Sequence, residues 1–413
     1  MQAISPSLIK AKRATQLIFL VCGLGMASWA PMVPYAKDRL GLHEAQLGLL
    51  LLFLGAGALV MMPVAGALAG RFGSRAVIIG ASAVMSLSLP LLLIISAPVV
   101  MAIALFMFGS GVGAVDVAMN AHGVQVQNLY GRPIMSSLHG LFSVGGLIGP
   151  LGLGFLIKLG LDPVYAATGV AALLLFIVFS QYSKLFDRTT EREAIAQFSG
   201  AENDEGRLRV RFQWLRPGVL FLGALCFAAF LSEGAMLDWS AVFLRDIKGL
   251  APEFAGAGYA AFSVAMATMR LLGDGLVERL NSKAVVVGGS LVAAAGLLIA
   301  VYSPWIPLVL TGFVLLGIGA ANIVPVFFSD AGRLKGVPPT VAIPTITTIG
   351  YAGQLAGPAL LGFIAHHYEL PAAFGFCAIF MVAIAFGYGI KKGDMTNERP
   401  DTHRRRLDKE TTS

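Results

Sequence analysis

Runs of about 20 residues almost free of Asp, Glu, Lys and Arg recur along this chain, each long enough to cross about 30 Å of hydrocarbon as a helix. They constrain the fold more than any other feature. A water-soluble domain carries roughly a quarter charged residues, whereas this chain is 56% hydrophobic and 13% charged, with a mean hydropathy of +0.77. Helices satisfy their own backbone groups in lipid, open sheet edges do not, and the short alternating segments of a barrel are absent. An all-α membrane protein is the expected fold class.

Reading the apolar runs between polar punctuation predicts twelve spans, over residues 15-35, 45-69, 76-96, 98-122, 135-158, 163-181, 217-243, 253-277, 284-303, 305-328, 341-365 and 370-390. The stretch from Thr15 to Ala30 lacks a small-residue cleavage site and runs into Trp29, Pro31 and Pro34, so it reads as the first span and not as a cleaved signal peptide. Cys22, Cys226 and Cys377 all fall inside apolar runs without ligand spacing, which points to packing rather than to a disulfide or a metal.

The formal net charge of +7 is topological. Nucleic-acid binding would need basic residues interleaved with aromatics in a polar domain, and none is present. Instead, 24 of the 30 Lys+Arg fall in one set of alternate loops, which the positive-inside rule assigns to the cytoplasm together with both termini. Residues 182-216 form the longest polar interior stretch, expected to be a cytoplasmic linker between an N-terminal half, 1-181, and a C-terminal half, 217-390. Residues 391-413 are a basic tail, expected to lack fixed structure, that either touches anionic lipid or only marks the cytoplasmic side.

The two halves repeat at a constant separation of 208 residues: Gly145-x-x-x-Gly149-Pro150-x-x-x-Gly154-Phe155 reappears as Gly353-x-x-x-Gly357-Pro358-x-x-x-Gly362-Phe363. Gly109-x-Gly111 becomes Gly317-x-Gly319, while Leu68, Arg71, Ser74 and Arg75 correspond to Leu276, Arg279, Ser282 and Lys283. With a slip of two residues, Trp29 meets Trp239. Six spans per half give both repeats the same orientation, and glycines at i, i+4 let helices approach closely.

The duplication, the central loop and the loop after span 2 resemble the major facilitator superfamily. Its signature Gly-x-x-x-Asp-Arg/Lys-x-Gly-x-Arg is met here by Gly66-Ala67-Leu68-Ala69-Gly70-Arg71-Phe72-Gly73-Ser74-Arg75, with Gly70 in place of the acid. The resemblance implies a gating role for Arg71, Gly73 and Arg75, and for their counterparts Glu278 and Arg279; the missing acid puts the first half's lock in doubt. Asp116-Val117-Ala118-Met119-Asn120 is similar to the fucose-permease-like branch, and the text around Trp29, His139-Gly140 and Glu233 to Trp239 is similar to YbjJ-type bacterial inner-membrane proteins. The acid of span 1 in that branch has no counterpart, since Thr15 to Pro34 contains no Asp or Glu.

Ionisable residues within spans are costly to bury and mark candidate sites. Asp116 shares a helix face with Gly109, Gly113 and Asn120; it is either a proton-binding group in a cleft or an acid satisfied by water or an Arg near the cytoplasmic end. Span 5 presents His139 and Ser143 on one face, and the matching face of span 11 is Thr347, Tyr351 and Gln354. Together with Asn322, this predicts titratable groups on the first half and neutral hydrogen-bonding groups on the second. His139 is either a proton relay or a packed histidine. Asp116 and His139 are expected within about two helix turns in depth, roughly 11 Å. Glu233 is a further candidate, Asp238 is expected at the interface, and Trp29 and Trp239 either stack on a ligand, anchor at the interface or pack. Arg270 and Asp274, four apart, are expected either to form a local ion pair supporting the gate, the favoured reading, or to contact substrate.

No nucleotide loop, catalytic triad or metal-ligand pattern is present, so the expectation is no enzyme, no cofactor and no metal. The expected function is alternating-access transport of a small polar, sugar-like solute, coupled to protons, by a monomer in a bacterial inner membrane whose other contact is lipid. Drug or metabolite export and a non-transporting receptor are the alternatives.

Overall fold

The structure, a computed structural model, describes residues 5–42, 44–199, 210–251 and 254–390. The basic tail at 391-413 and the middle of the linker at 200-209 lie outside the described residues. The first half contains α1 (Pro6–Ala27), α2 (Val33–Leu40), α3 (Glu44–Phe72), α4 (Ser74–Ile94), α5 (Pro98–Tyr130), α6 (Met135–Lys158) and α7 (Pro163–Gln181). The linker holds α8 (Arg188–Ser199). The second half contains α9 (Pro217–Val242), α10 (Ala257–Tyr302), α11 (Ile306–Ala320), α12 (Ile323–Ala331) and α13 (Pro339–Gly389). Proline opens α5, α7, α9 and α13, where a missing amide removes no helical bond. Asp162 accepts the Val164 amide at 2.8 Å and caps α7.

Ten described helical runs are long and apolar enough to cross a membrane. Two of them are too long for one crossing: α10 has 46 residues and α13 has 51, which would span about 69 and 77 Å. Each contains one residue with non-helical backbone, Asn281 (φ 69°, ψ 162°) and Glu369 (φ 68°, ψ 163°), at which the helix divides. Twelve crossings result, in two six-helix sets. α1 starts at Pro6 rather than at 15, and α5 runs to Tyr130 rather than 122. Apolar runs mark only the hydrocarbon, whereas helical hydrogen bonds continue through the polar boundary. The tenth crossing is divided between α11 and α12 at Asn322 (φ -105°, ψ 0°). Large apolar side chains such as Val99, Leu151, Phe176 and Phe386 are exposed on the bundle surface, as lipid-facing groups are.

The repeat is visible in the packing. A β-carbon at Gly109 would collide with Leu54 O, and one at Gly317 with Phe262 O, both pairs related by the offset of 208. Likewise Gly145 abuts the α1 backbone at Leu20, and Gly353 abuts the α9 backbone at Phe227. The repeated glycines are thus contact points between helices.

Between the halves, α6 packs on the first part of α10, and α3 on the first part of α13. Gly332 lies against Val124, its own counterpart at the 208 offset, so the twofold axis relating the halves passes between them.

A second pair of equivalents involves cations away from the basic loops. Arg39 donates to the carbonyls of Leu92, Leu93 and Ile95 at the end of α4. Lys248 donates to Val301 O at 2.8 Å and Ser303 O at 2.7 Å at the end of α10. Both cations satisfy carbonyls that the helix leaves unpaired and oppose the negative end of its dipole. Arg39→Met and Lys248→Met are each expected to lower stability by about 1–3 kcal/mol. The losses should add in the double variant, because the two sites lie in different halves; thermal unfolding in detergent measures both.

Candidate functional site

Inside the bundle a line of hydrogen-bonded polar groups crosses from one half to the other. Asp116 and Asn120, one turn apart on α5, are both buried. The Asn120 amide donates to Asp116 O at 2.8 Å and to its carboxylate at 3.3 Å. Asn120 Oδ1 accepts from His139 Nε2 of α6 at 3.1 Å. The His139 ring lies between Phe19, edge-on at 5.3 Å, and Phe328, stacked at 5.6 Å. One turn on, Ser143 donates to His139 O at 3.1 Å and accepts from Arg270 of the other half at 3.1 Å. Arg270 also donates to Ala321 O at 3.2 Å and to both oxygens of Glu233, at 3.3 and 3.4 Å.

This geometry corrects two expectations. Arg270 does not pair with Asp274; it turns inward to Glu233, at 3.3 Å. A guanidinium buried to 7% exposure needs a counter-charge within reach, and Glu233 on the neighbouring α9 stands at its depth. The second half is therefore not neutral at this level. Its wall also carries Asn322, whose amide donates to Met269 O at 3.4 Å, and Tyr351, edge-on to Phe230 at 5.5 Å. Gln354 packs over Gly234. Thr347 Oγ1, Asn322 Oδ1 and the indole nitrogens of Trp29 and Trp239 are buried with no hydrogen-bond partner among the described residues. Asp238 is exposed, near the end of α9.

Asp274 instead closes the end of the bundle that carries the basic loops. It accepts the amides of Ser136 at 3.0 Å and Ser137 at 3.2 Å, in the first turn of α6. The preceding amides, Ile134 and Met135, donate to Gln127 Oε1 at 3.0 and 3.3 Å. Four amides at the start of one helix are thus satisfied by both halves, two by each. Gln127 bonds Ser329 at 2.9 Å, Asn128 accepts from Arg333 at 3.2 Å, and Arg132 meets Glu278 at 3.7 Å. Gly66 lies against Pro344 and Thr340, Gly140 against Leu271, and Gly273 against Asn322 and Ser136. The basic end is closed.

A family model described as the Major Facilitator Superfamily matches residues 17–337. The chain belongs to the Major Facilitator Superfamily. It is 45% identical to an uncharacterized MFS-type transporter of Yersinia pestis over 384 residues, 93% of this chain and 96% of that protein. It is 32% identical to membrane protein MosC of Rhizobium meliloti, covering 89% of this chain and 85% of MosC. Among solved structures it is similar to the superfamily transporter FucP in the outward conformation, with a TM-score of 0.73 and 15% identity over 92% of this chain and 98% of that one. The proton:xylose symporter XylE is similar at a TM-score of 0.73 and 15% identity, over 93% and 95%. The chain is a membrane transporter of this superfamily and not an enzyme.

In this superfamily member the loop after α3 does not reach across the halves with a carboxylate. A β-carbon at Gly70 would meet only Thr340 among the described residues, Arg71 lies over the ring of Phe72 at 5.1 Å, and Arg75 over Tyr182 at 4.6 Å. Gly73 has φ +87°, and Arg279 is exposed. Sequence reasoning missed Gln127, Asn128, Ser136 and Ser137, whose value lies in amides and carboxamides that carry no charge signal. It also missed His122, buried at the offset counterpart of Asp330. His122 Nδ1 donates to Thr15 at 3.0 Å, because Nε2 accepts the Phe186 amide at 2.9 Å; Asp330 accepts from Tyr388 at 2.6 Å. The offset itself could have flagged that pair of buried polar groups. Asp274→Ala should remove bonds worth roughly 1.5–3 kcal/mol, shifting the closed basic end toward open about tenfold or more. Spin-label distances between the basic ends of α6 and the first part of α10 measure the shift.

Proposed function

We propose that this protein is a proton-coupled transporter of a small polar, sugar-like solute, with its basic end and both termini in the cytoplasm of a bacterium. On that orientation the structure is closed to the cytoplasm. One observation carries the proposal: a run of hydrogen bonds from Asp116 through Asn120, the ring and backbone carbonyl of His139, Ser143 and Arg270 to Glu233 joins the halves inside the bundle. A carboxylate that must exist inside a membrane bundle is supported by its protonation or by its partners. XylE is a proton:xylose symporter and FucP of Escherichia coli a fucose:proton symporter, and their similar fold favours the same assignment.

In this mechanism Asp116 carries the proton. Ionised, it holds the Asn120 amide; protonated, it accepts more weakly and can donate in turn, which loosens Asn120 toward its remaining bond to the Asp116 carbonyl and changes how it meets the ring of His139. Asn120 lies between the two titratable groups, so His139 positions the acid's partner and does not exchange a proton with the acid directly. His139 and Ser143 stand on α6, whose first turn is gripped by Asp274. A change at Asp116 therefore reaches the closed end through one rigid helix. The solute is held by the second wall, Asn322, Thr347, Tyr351 and Gln354, together with Glu233 and Trp29, where unpartnered polar atoms await hydroxyl groups. Arg71, Gly73, Arg75, Arg270, Asp274, Glu278 and Arg279 are assigned to the coupling and closure of the basic end.

Uptake into vesicles with an acid-outside gradient, run across a library of polyols, sugars and sugar acids, tests this. A transported solute should accumulate with the gradient, and Asp116→Asn should abolish accumulation while preserving exchange of solute between equal pH compartments. Accumulation by Asp116→Asn at the unaltered rate and level would overturn the assignment of the proton to Asp116.

A further inference from the structure

Helix α4 begins directly after Gly73, which has no side chain with which to cap it. At the equivalent place in the second half stands Asn281, with nearly the same backbone conformation, φ 69° and ψ 162° against φ 87° and ψ 151°. Asn281 Oδ1 accepts the Ala284 amide at 2.9 Å, so the second half caps its helix from within the turn. The first half lacks that means. Its cap comes from Glu191 of the linker helix α8, 117 residues further along the chain, which accepts the Ser74 amide at 2.7 Å and the Ser74 hydroxyl.

Glu191 is 2% exposed, far less than a glutamate on a solvated linker. A buried carboxylate at a helix start meets unpaired amides and the positive end of the dipole. The surrounding contacts agree. Asp187 caps α8 by accepting the Thr190 amide and the Thr189 hydroxyl, both at 2.9 Å, and that amide holds its carboxyl at about 2. Tyr182 lies under Arg75, the Phe186 amide donates to buried His122, and Leu185 and Ala194 are themselves buried.

We propose that Glu191 is a positioning residue that fastens the linker helix to the first half, so that residues 182–199 travel with that half as it moves against the second. The proposal takes from the transport reading only that the halves move relative to one another, and its test needs no solute. It assigns the linker a fixed place in one half rather than a neutral one between two.

The test uses the full-length protein in detergent, with amide hydrogen exchange of residues 188–199 and the thermal midpoint as two readouts. Glu191→Ala should speed exchange across α8 at least tenfold and lower the midpoint. Adding Gly73→Asn introduces a local cap of the Asn281 type, aimed at the Ala76 amide; a β-carbon at 73 stands 3.4 Å from Arg188 and Glu191, and the φ of +87° strains any side chain there. The double variant should regain at most part of the midpoint while α8 still exchanges fast. Two results would overturn the proposal: α8 staying protected in Glu191→Ala, or Gly73→Asn restoring its protection in the double variant. If Glu191→Ala is not recovered folded, Glu191→Gln replaces it with the same readouts and the same direction of effect.

Discussion

The closed state depends on how the first turn of α6 is satisfied. Four amides at a helix start have no partner within the helix, and in a membrane protein water cannot be relied on to supply one. Here Gln127 takes two of them from the same half, and Asp274 takes two from the opposite half. The bond that completes a local structure is therefore also the bond that holds the halves together. Separation of α6 from α10 exposes both a carboxylate and two amides, so it is favourable only where water enters. That is the physical difference between a closed and an open end.

The same helix carries His139 and Ser143 one and two turns beyond the residues that Asp274 holds, and this places the central polar line and the closed end on one rigid body. The line itself satisfies the requirement that buried charges be paired. Arg270 finds Glu233 rather than Asp274 because a residue four along the same helix, near the bundle end, has helix amides to accept, while Glu233 faces the same interior as the guanidinium. Asn120 serves two neighbours at once, with its donor toward Asp116 and its acceptor toward His139.

Duplication gave the two halves one frame and different fastenings. Leu54 against Gly109 repeats as Phe262 against Gly317, and Arg39 at the end of α4 repeats as Lys248 at the end of α10. Yet Gly73 and Asn281 share a backbone conformation without sharing a cap, and Asp330 and His122 share a position without sharing a charge. Backbone geometry tolerates such divergence because close helix packing constrains small residues more tightly than it constrains how a buried polar group is satisfied.

Read alone, the sequence determined the number of crossings, their pairing by a 208-residue offset, and the helices on which Asp116, His139, Glu233 and Asn322 stand. These follow from hydrocarbon thickness and from glycine spacing, which act along the chain and leave a local record. Only the tertiary structure decided which polar groups meet. Asp274 and Ser136 are 138 residues apart, Glu191 and Ser74 are 117 apart, and Arg270 and Ser143 are 127 apart. Spacing on one helix made Arg270 and Asp274 look like partners, because i, i+4 neighbours are the only contacts a linear pattern can show. Each found a stronger partner across a helix interface, where low polarity makes an unsatisfied group costly and so selects among the polar atoms within reach.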